Sequence, residues 1–268
     1  MKAAFLLATT LATTGTFAGN TAEANNGCHA LPSHASLTAS LRAVVSAGGN
    51  AGLSNDMWGT IVDRDGIVCQ VAKSGADRGR QWPGSRIISA QKANTANAFS
   101  LPVGSGGISG LSLSTANLYS AVQPGGSLFG LQLSNPVDTQ TAYKGPSLNY
   151  GTLNDPMVGA KIGGVNVFGG GLTLYDANGA ALGALGVSGD TSCTDHIVAW
   201  KVRDALGLDH VPAGVSPTGD DNMILDTTVD ASTGHTVSAG GFGHPACGFG
   251  EESIIPKLPT NYPVGSNS

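Results

Sequence analysis

The sequence predicts a mixed α/β domain in which strand hairpins alternate with helices. Two pairs of short apolar runs carry the strand half of this expectation. Residues 57–62 with 67–72, and 172–175 with 181–187, each flank a segment of turn residues. Three segments with helical spacing of apolar or small residues carry the other half.

The elements follow in order. Leu37, Leu41, Val44 and Val45 recur at i, i+4, i+7 and i+8, the stripe of an amphipathic helix, and Gly48-Gly49 ends it. The first hairpin turns through Asp63-Arg64-Asp65-Gly66, with glycine supplying the positive φ. That spelling lacks the distal Glu of a calcium loop, so it reads as a turn. Trp82-Pro83-Gly84-Ser85 reads as a helix entry, with Ser85 as a possible cap. The helix beyond it has a small-residue face of Ala90, Ala93, Ala96 and Ala98, suited to close packing on a sheet, and Leu101-Pro102 ends it. Residues 103–156 are rich in Gly, Ser, Asn and Pro. They read as mostly ordered loop, with a short helix within 111–122. The second hairpin turns at Asp176-Ala177-Asn178-Gly179, where Asn-Gly is a strong turn signal. The last helix opens near Thr191, buries Val198, Val202, Ala205 and Leu206, and stops at Gly207.

Residues 1–24 read as a secretory signal. They comprise a short positive start at Lys2, an apolar run too short to span a bilayer, and an A-x-A site at Ala22-Glu23-Ala24. No later apolar stretch is long enough to span a membrane, so the mature chain, 25–268, is expected in the periplasm or outside the cell as one domain. A net charge of −5 without any Lys/Arg cluster argues against a nucleic-acid partner. The 40 glycines follow no collagen period and read as turn positions.

Four cysteines, Cys28, Cys69, Cys193 and Cys247, favour two disulfides in an oxidising compartment, and three pairings are open. The expected one is Cys193–Cys247 with Cys28–Cys69, because the alternatives carry the N-terminal arm across the sheet. Closing the longer loop would stabilise the fold by roughly 4 kcal/mol in the chain-entropy model. The mirrored spellings Cys193-x-x-His196 and His244-x-x-Cys247 leave a second possibility, a tetrahedral zinc site of Cys193, His196, His244 and Cys247.

Enzyme signatures are scarce. The glycine turns around Ser105 and Ser188 lack an assignable base, and there is neither a P-loop nor a dinucleotide fingerprint. Asp220 and Asp221 read as solvated acids in a polar tail.

Three stretches, TIVDRDGIVCQVAKSG (60–75), WPGSRIISAQKANTANAFSLP (82–102) and GGLTLYDANGAALGALGVSGDTSCTDH (170–196), stand in an order and spacing that resemble the GlcG/HbpS (haem-binding-protein-like) family. The resemblance covers about half of the mature chain. It implies an antiparallel sheet flanked by helices, a homo-oligomer, and haem or another planar tetrapyrrole as ligand. Relative to the short family form, this chain adds an insertion at about 103–156 and a tail at about 212–268.

Non-covalent haem needs an apolar slot, axial ligands and cations for the propionates. His196, His244 and His235 are the candidate ligands, and Lys92, Arg86 and Arg78 the candidate cations; no C-x-x-C-H exists for covalent attachment. The leading expectation is therefore an exported binding module. The alternatives are an enzyme on a small organic molecule, with the insertion as its lid, and an accessory subunit without a ligand.

Overall fold

The structure is a computed structural model and describes residues 27–105 and 108–265. The expected signal segment 1–24 lies outside the described residues. Helix α1 (His34–Ala47) is capped by Ser33, whose hydroxyl accepts the Ser36 N–H, and ends where Gly48 turns to φ +68°. Strands β1 (Trp58–Asp63) and β2 (Val68–Lys73) form the first hairpin. Its turn is fixed by Asp63 Oδ1, which accepts the N–H groups of Asp65 and Ile67. Helix α2 (Ser85–Phe99) follows; Ser85 is its first residue rather than its cap, a position taken by Gly84.

The next segment contains two single-turn helices, α3 (Leu131–Ser134) and α4 (Thr139–Ala142), besides 3-10 turns. The short helix expected within 111–122 is replaced by two 3-10 turns, Thr115–Leu118 and Ser120–Val122. Strands β3 (Gly171–Tyr175) and β4 (Ala181–Ser188) form the second hairpin, and α5 (Ser192–Ala205) leaves β4 through a tight turn capped by Thr191.

The four strands form one antiparallel sheet in the order β2-β1-β4-β3. β1 and β4 pair centrally, with Ile61 opposite Leu185. All six residues of β1 are buried, as expected of a strand covered on both faces. On one face α2 lays Ile87, Ala90, Ala93 and Ala96 against Trp58, Val62 and Ala184. On the other, α1 and α5 bring Leu37, Leu41, Ile197 and Trp200 against Ile61, Leu172, Leu185 and Val187. The fold is thus a mixed α/β sandwich with its sheet in the middle. The small face of α2 has a partner in the sheet. A Cβ on Gly186 would lie 1.9 Å from the Ser89 carbonyl oxygen and 2.6 Å from the Ala93 nitrogen, so the helix rests directly on bare backbone.

The long insertion is not a loose loop. Ala142, with Met157 and Ile162 just beyond the insertion, joins the core on the α2 face, and Arg86 reaches across to it. Its guanidinium donates to Asp155 (Nε to Oδ2 2.9 Å, and Nη2 to Oδ1) and to the Ala142 carbonyl (2.8 Å). The tail is also packed. It forms a hairpin of β5 (Thr227–Val229) and β6 (Thr236–Ser238), then α6 (Leu258–Asn261), with Ile255 and Leu258 in the core.

The solvated reading of Asp220 and Asp221 is wrong. Asp221 is fully buried and pairs with both terminal nitrogens of Arg203 at 2.7 and 2.8 Å, and Asp220 accepts from Ser216 Oγ and Asn222 N. Burial alone would raise the Asp221 carboxyl, but the Arg203 charge and its hydrogen bonds hold it below the usual range.

Candidate functional site

The entry to α5 gathers most of the polar residues singled out in the sequence. Lys92, on the sheet side of α2, donates to Asp195 Oδ2 at 2.7 Å and to the Val187 carbonyl at 3.1 Å. Asp195 lies in the first turn of α5, and its Oδ1 accepts the N–H groups of Gly189 and Asp190. Both side chains are almost fully enclosed. Burial pushes Asp195 up to about 6 and pulls Lys92 below its ordinary value, each shift being partly offset by the other's charge. A cleft of about 320 Å3 opens beside this pair, lined by Trp82, Lys92, Phe168, Ser188, Ser192 and Asp195 among others.

The tail closes onto the same end of α5. Cys193 and Cys247 are bonded, as are Cys28 and Cys69. The first bond fixes the segment bearing His244, whose Nε2 lies 2.7 Å from Ser192 Oγ and whose Nδ1 lies 2.7 Å from the Pro245 carbonyl. The donor atoms of Cys193, His244 and Cys247 lie within 4.8 Å of one another, but bonded sulfurs are not thiolates, and His196 does not belong to this group. The zinc set therefore does not assemble while the bond is intact.

His196 turns elsewhere, within the core. Its Nε2 accepts the Met223 N–H at 3.1 Å and faces Asn222 Oδ1, and its ring tilts against Trp200. Burial holds both His196 and His244 down at about 4. Lys92 and His244 are committed to internal partners at this end and Arg86 to Asp155 at the insertion, so neither cation is free for a propionate, whereas His196 Nδ1 is buried in the core without a hydrogen-bond partner. His235 lies beside Gly125, in a polar groove between the insertion and the β5–β6 hairpin.

A second cleft, of about 460 Å3, lies on the α2 side, where the insertion meets the sheet. Its walls include Trp58, Pro83, Tyr143, Tyr150, Asp77 and Arg78 and are mostly apolar. Trp58 is anchored by its indole N–H on the Trp82 carbonyl, 3.0 Å. Tyr150 is fixed by its hydroxyl on the Tyr143 and Lys144 carbonyls, and its ring lies over Arg86. Tyr143 is 60 % exposed, and its phenol has no hydrogen-bond partner among the described residues. Arg78 is exposed and has no ion-pair partner among the described residues, while the neighbouring Asp77 carboxylate accepts the Gly79 N–H.

This cleft fits a planar aromatic ligand in size, within the roughly 300–1,000 Å3 of small-molecule sites. It fits in chemistry too, with aromatic walls, an available phenol and one free cation. Of the residues named from sequence, Arg78 lines it and Arg86 supports it. The tyrosines were missed because they sit seven apart in irregular backbone, where no periodicity marks them.

Comparison with solved structures finds a PduOC–haem complex (22% identity over 66% of this chain and 96% of that one, TM-score 0.44). It also finds the Klebsiella pneumoniae protein ORFY (24%, 65% and 90%, TM-score 0.42) and HbpS (17%, 66% and 90%, TM-score 0.37). No curated protein matches. The model of one family, described as haem degrading protein HbpS-like, matches residues 51–203, from the loop before β1 to the last turn of α5, and the chain therefore belongs to the HbpS-like family.

Proposed function

We propose that this is an exported protein that binds haem or a similar planar aromatic molecule in the cleft of Trp58, Tyr143 and Tyr150. The observation that carries the reading is the apolar, aromatic-walled cleft of about 460 Å3 with Arg78 at hand. The family description and the haem complex among similar structures support the same ligand class.

In this reading Pro83 and Tyr150 would contact the ring faces, with the buried Trp58 behind them, since flat apolar ligands gain most from stacking on aromatic walls. The Arg78 guanidinium takes a propionate carboxylate as a charge-assisted pair. The Tyr143 phenol is the oxygen donor available to iron. Bound haem would supply redox and oxygen chemistry; the chain's part is to orient it and to shield one face from water.

Export to the periplasm or beyond is supported by the two disulfides, which persist in oxidising compartments, and by the leader-like residues 1–24. Among the described residues no helix is long and apolar enough to cross a membrane. Self-association is part of the same reading, supported by exposed Phe129, Leu133, Leu148 and Leu153 on the insertion, and light scattering at monomer mass would reject it.

Absorbance titration tests the ligand. Adding haem to the disulfide-bonded protein should give a Soret band that saturates at one equivalent per chain and survives gel filtration. A spectrum equal to that of free haem at every ratio overturns the reading.

A further inference from the structure

The cleft at the entry to α5 holds a pair that haem binding does not use. Ser192 is the first residue of α5, half-buried, and lines that cleft. Its Oγ lies 2.7 Å from His244 Nε2 and accepts the Gly169 N–H at 2.6 Å. The Pro245 carbonyl can only accept, so the proton of the neutral ring sits on Nδ1 and the lone pair on Nε2. The Ser192 hydroxyl therefore donates to His244. A hydroxyl, an imidazole base behind it and an acceptor that orients the base are the three roles of serine acyl transfer. The base is held in place: the Cys193–Cys247 bond ties its segment to the helix that bears Ser192, and its ring rests 4.8 Å from that of Tyr119. The Gly169 N–H favours negative charge on Oγ.

We propose that Ser192 and His244 are a nucleophile–base dyad that hydrolyses small, uncharged esters. Oγ bonds to the ester carbonyl carbon as its proton passes to His244 Nε2. The bond from that carbon to the alcohol oxygen then breaks, and the departing oxygen takes the proton from Nε2. Water attacks the acyl-serine in turn, giving a proton to His244, which returns it to Oγ as the acid leaves. The net change is ester plus water to acid plus alcohol, with nothing oxidised or reduced.

The cleft defines the substrate class. At about 320 Å3 it takes a small acyl group, and Trp82, Ile88 and Phe168 give it an apolar wall. Lys92 and Asp195 cancel each other's charge, whereas Asp190, which also lines the cleft, adds a carboxylate that accepts the N–H groups of Leu53, Asn55 and Thr191 and has no ion-pair partner among the described residues. The residual charge is negative, so carboxylate-bearing acyl groups are disfavoured.

The test uses the intact, disulfide-bonded protein with two probes, a fluorophosphonate and p-nitrophenyl acetate. The expected result is one adduct per chain, mapped to the peptide containing Ser192, together with steady release of p-nitrophenol. Ser192→Ala, which removes a single oxygen, should abolish the adduct and lower release by about 100-fold or more. His244→Gln should slow labelling of Ser192 by a similar factor. Ser192→Cys keeps a nucleophile beside the base and should be alkylated by iodoacetamide faster than the same thiol in the His244→Gln background. A folded parent protein without an adduct at Ser192, or a Ser192→Ala protein that releases p-nitrophenol at the parent rate, overturns the proposal whatever the fate of the His244 variant.

Discussion

The Arg86 guanidinium lies 3.7 Å from the centre of the Tyr150 ring while forming a buried ion pair with Asp155. One side chain of α2 thereby holds the insertion to the core and sets one wall of the aromatic cleft. Arg86→Ala leaves the Asp155 carboxylate buried without its partner, a loss of about 3–5 kcal/mol. A melting temperature lower by roughly 10 °C is expected by calorimetry, together with weaker haem uptake. An unchanged melt would show that the insertion's other anchors, such as the buried Ala116 and Ala142 and the Lys73 bond to the Tyr150 carbonyl, hold it without Arg86.

The Cys193–Cys247 bond closes a loop of 54 residues. Replacing both cysteines with serine should cost about 4 kcal/mol in the chain-entropy model. It should also release His244 from Ser192 and so slow fluorophosphonate labelling. Non-reducing peptide mapping checks the pairing directly, and a Cys28–Cys193 or Cys69–Cys247 peptide would contradict it.

At Gly186 the α2 backbone lies where a side chain would stand. Gly186→Ala must push α2 off the sheet, and overpacking of this kind costs roughly 1–3 kcal/mol or more. Denaturant unfolding should show a lower midpoint. An unchanged midpoint would mean that α2 floats more freely than its contacts with Gly186 allow.

Acid should destabilise the fold. His196 and His244 are held at about 4 by burial, against an ordinary 6.5, so the unfolded chain takes up their protons first as pH falls. The stability from keeping them neutral is present above pH 6.5 and lost as pH falls through about 4. Asp195, raised to about 6, acts in the opposite sense: its contribution is full below the unfolded value of 3.8 and lost as pH rises through 6. Two histidines outweigh one aspartate, so the melting temperature should fall between about pH 7 and about pH 4.5. His244→Gln should shrink that fall; a melting temperature that rises on acidification would contradict the balance.

The alternating and helical patterns made both hairpins and the three long helices legible, because each buries a face of fixed period. The stripe of Leu37 and Leu41 and the small face of Ala90, Ala93 and Ala96 are in the core. The tail was misread because its anchors are polar: Asp221 is buried by its charge match with Arg203, a long-range pairing that no local pattern encodes. Lys92 and Arg86 were singled out as cations for a ligand, but each had an internal partner 103 and 69 residues away. Ser192 went unremarked because Thr191-Ser192 followed by Asp195 spells a helix start, and such residues ordinarily serve the helix alone. The aromatic cleft was invisible because Trp58, Tyr143 and Tyr150 are brought together only when the insertion folds back on the sheet.

Haem affinity of cleft variants tests the central claim most directly. Tyr143→Ala removes the available phenol, and Arg78→Ala removes the free cation; both lie at the surface and should leave the melt unchanged. The expected result is a dissociation constant for haem at least about tenfold weaker for each, the equivalent of about 1.4 kcal/mol. If both variants bind haem as tightly as the parent protein, with the same Soret maximum, the ligand does not occupy this cleft.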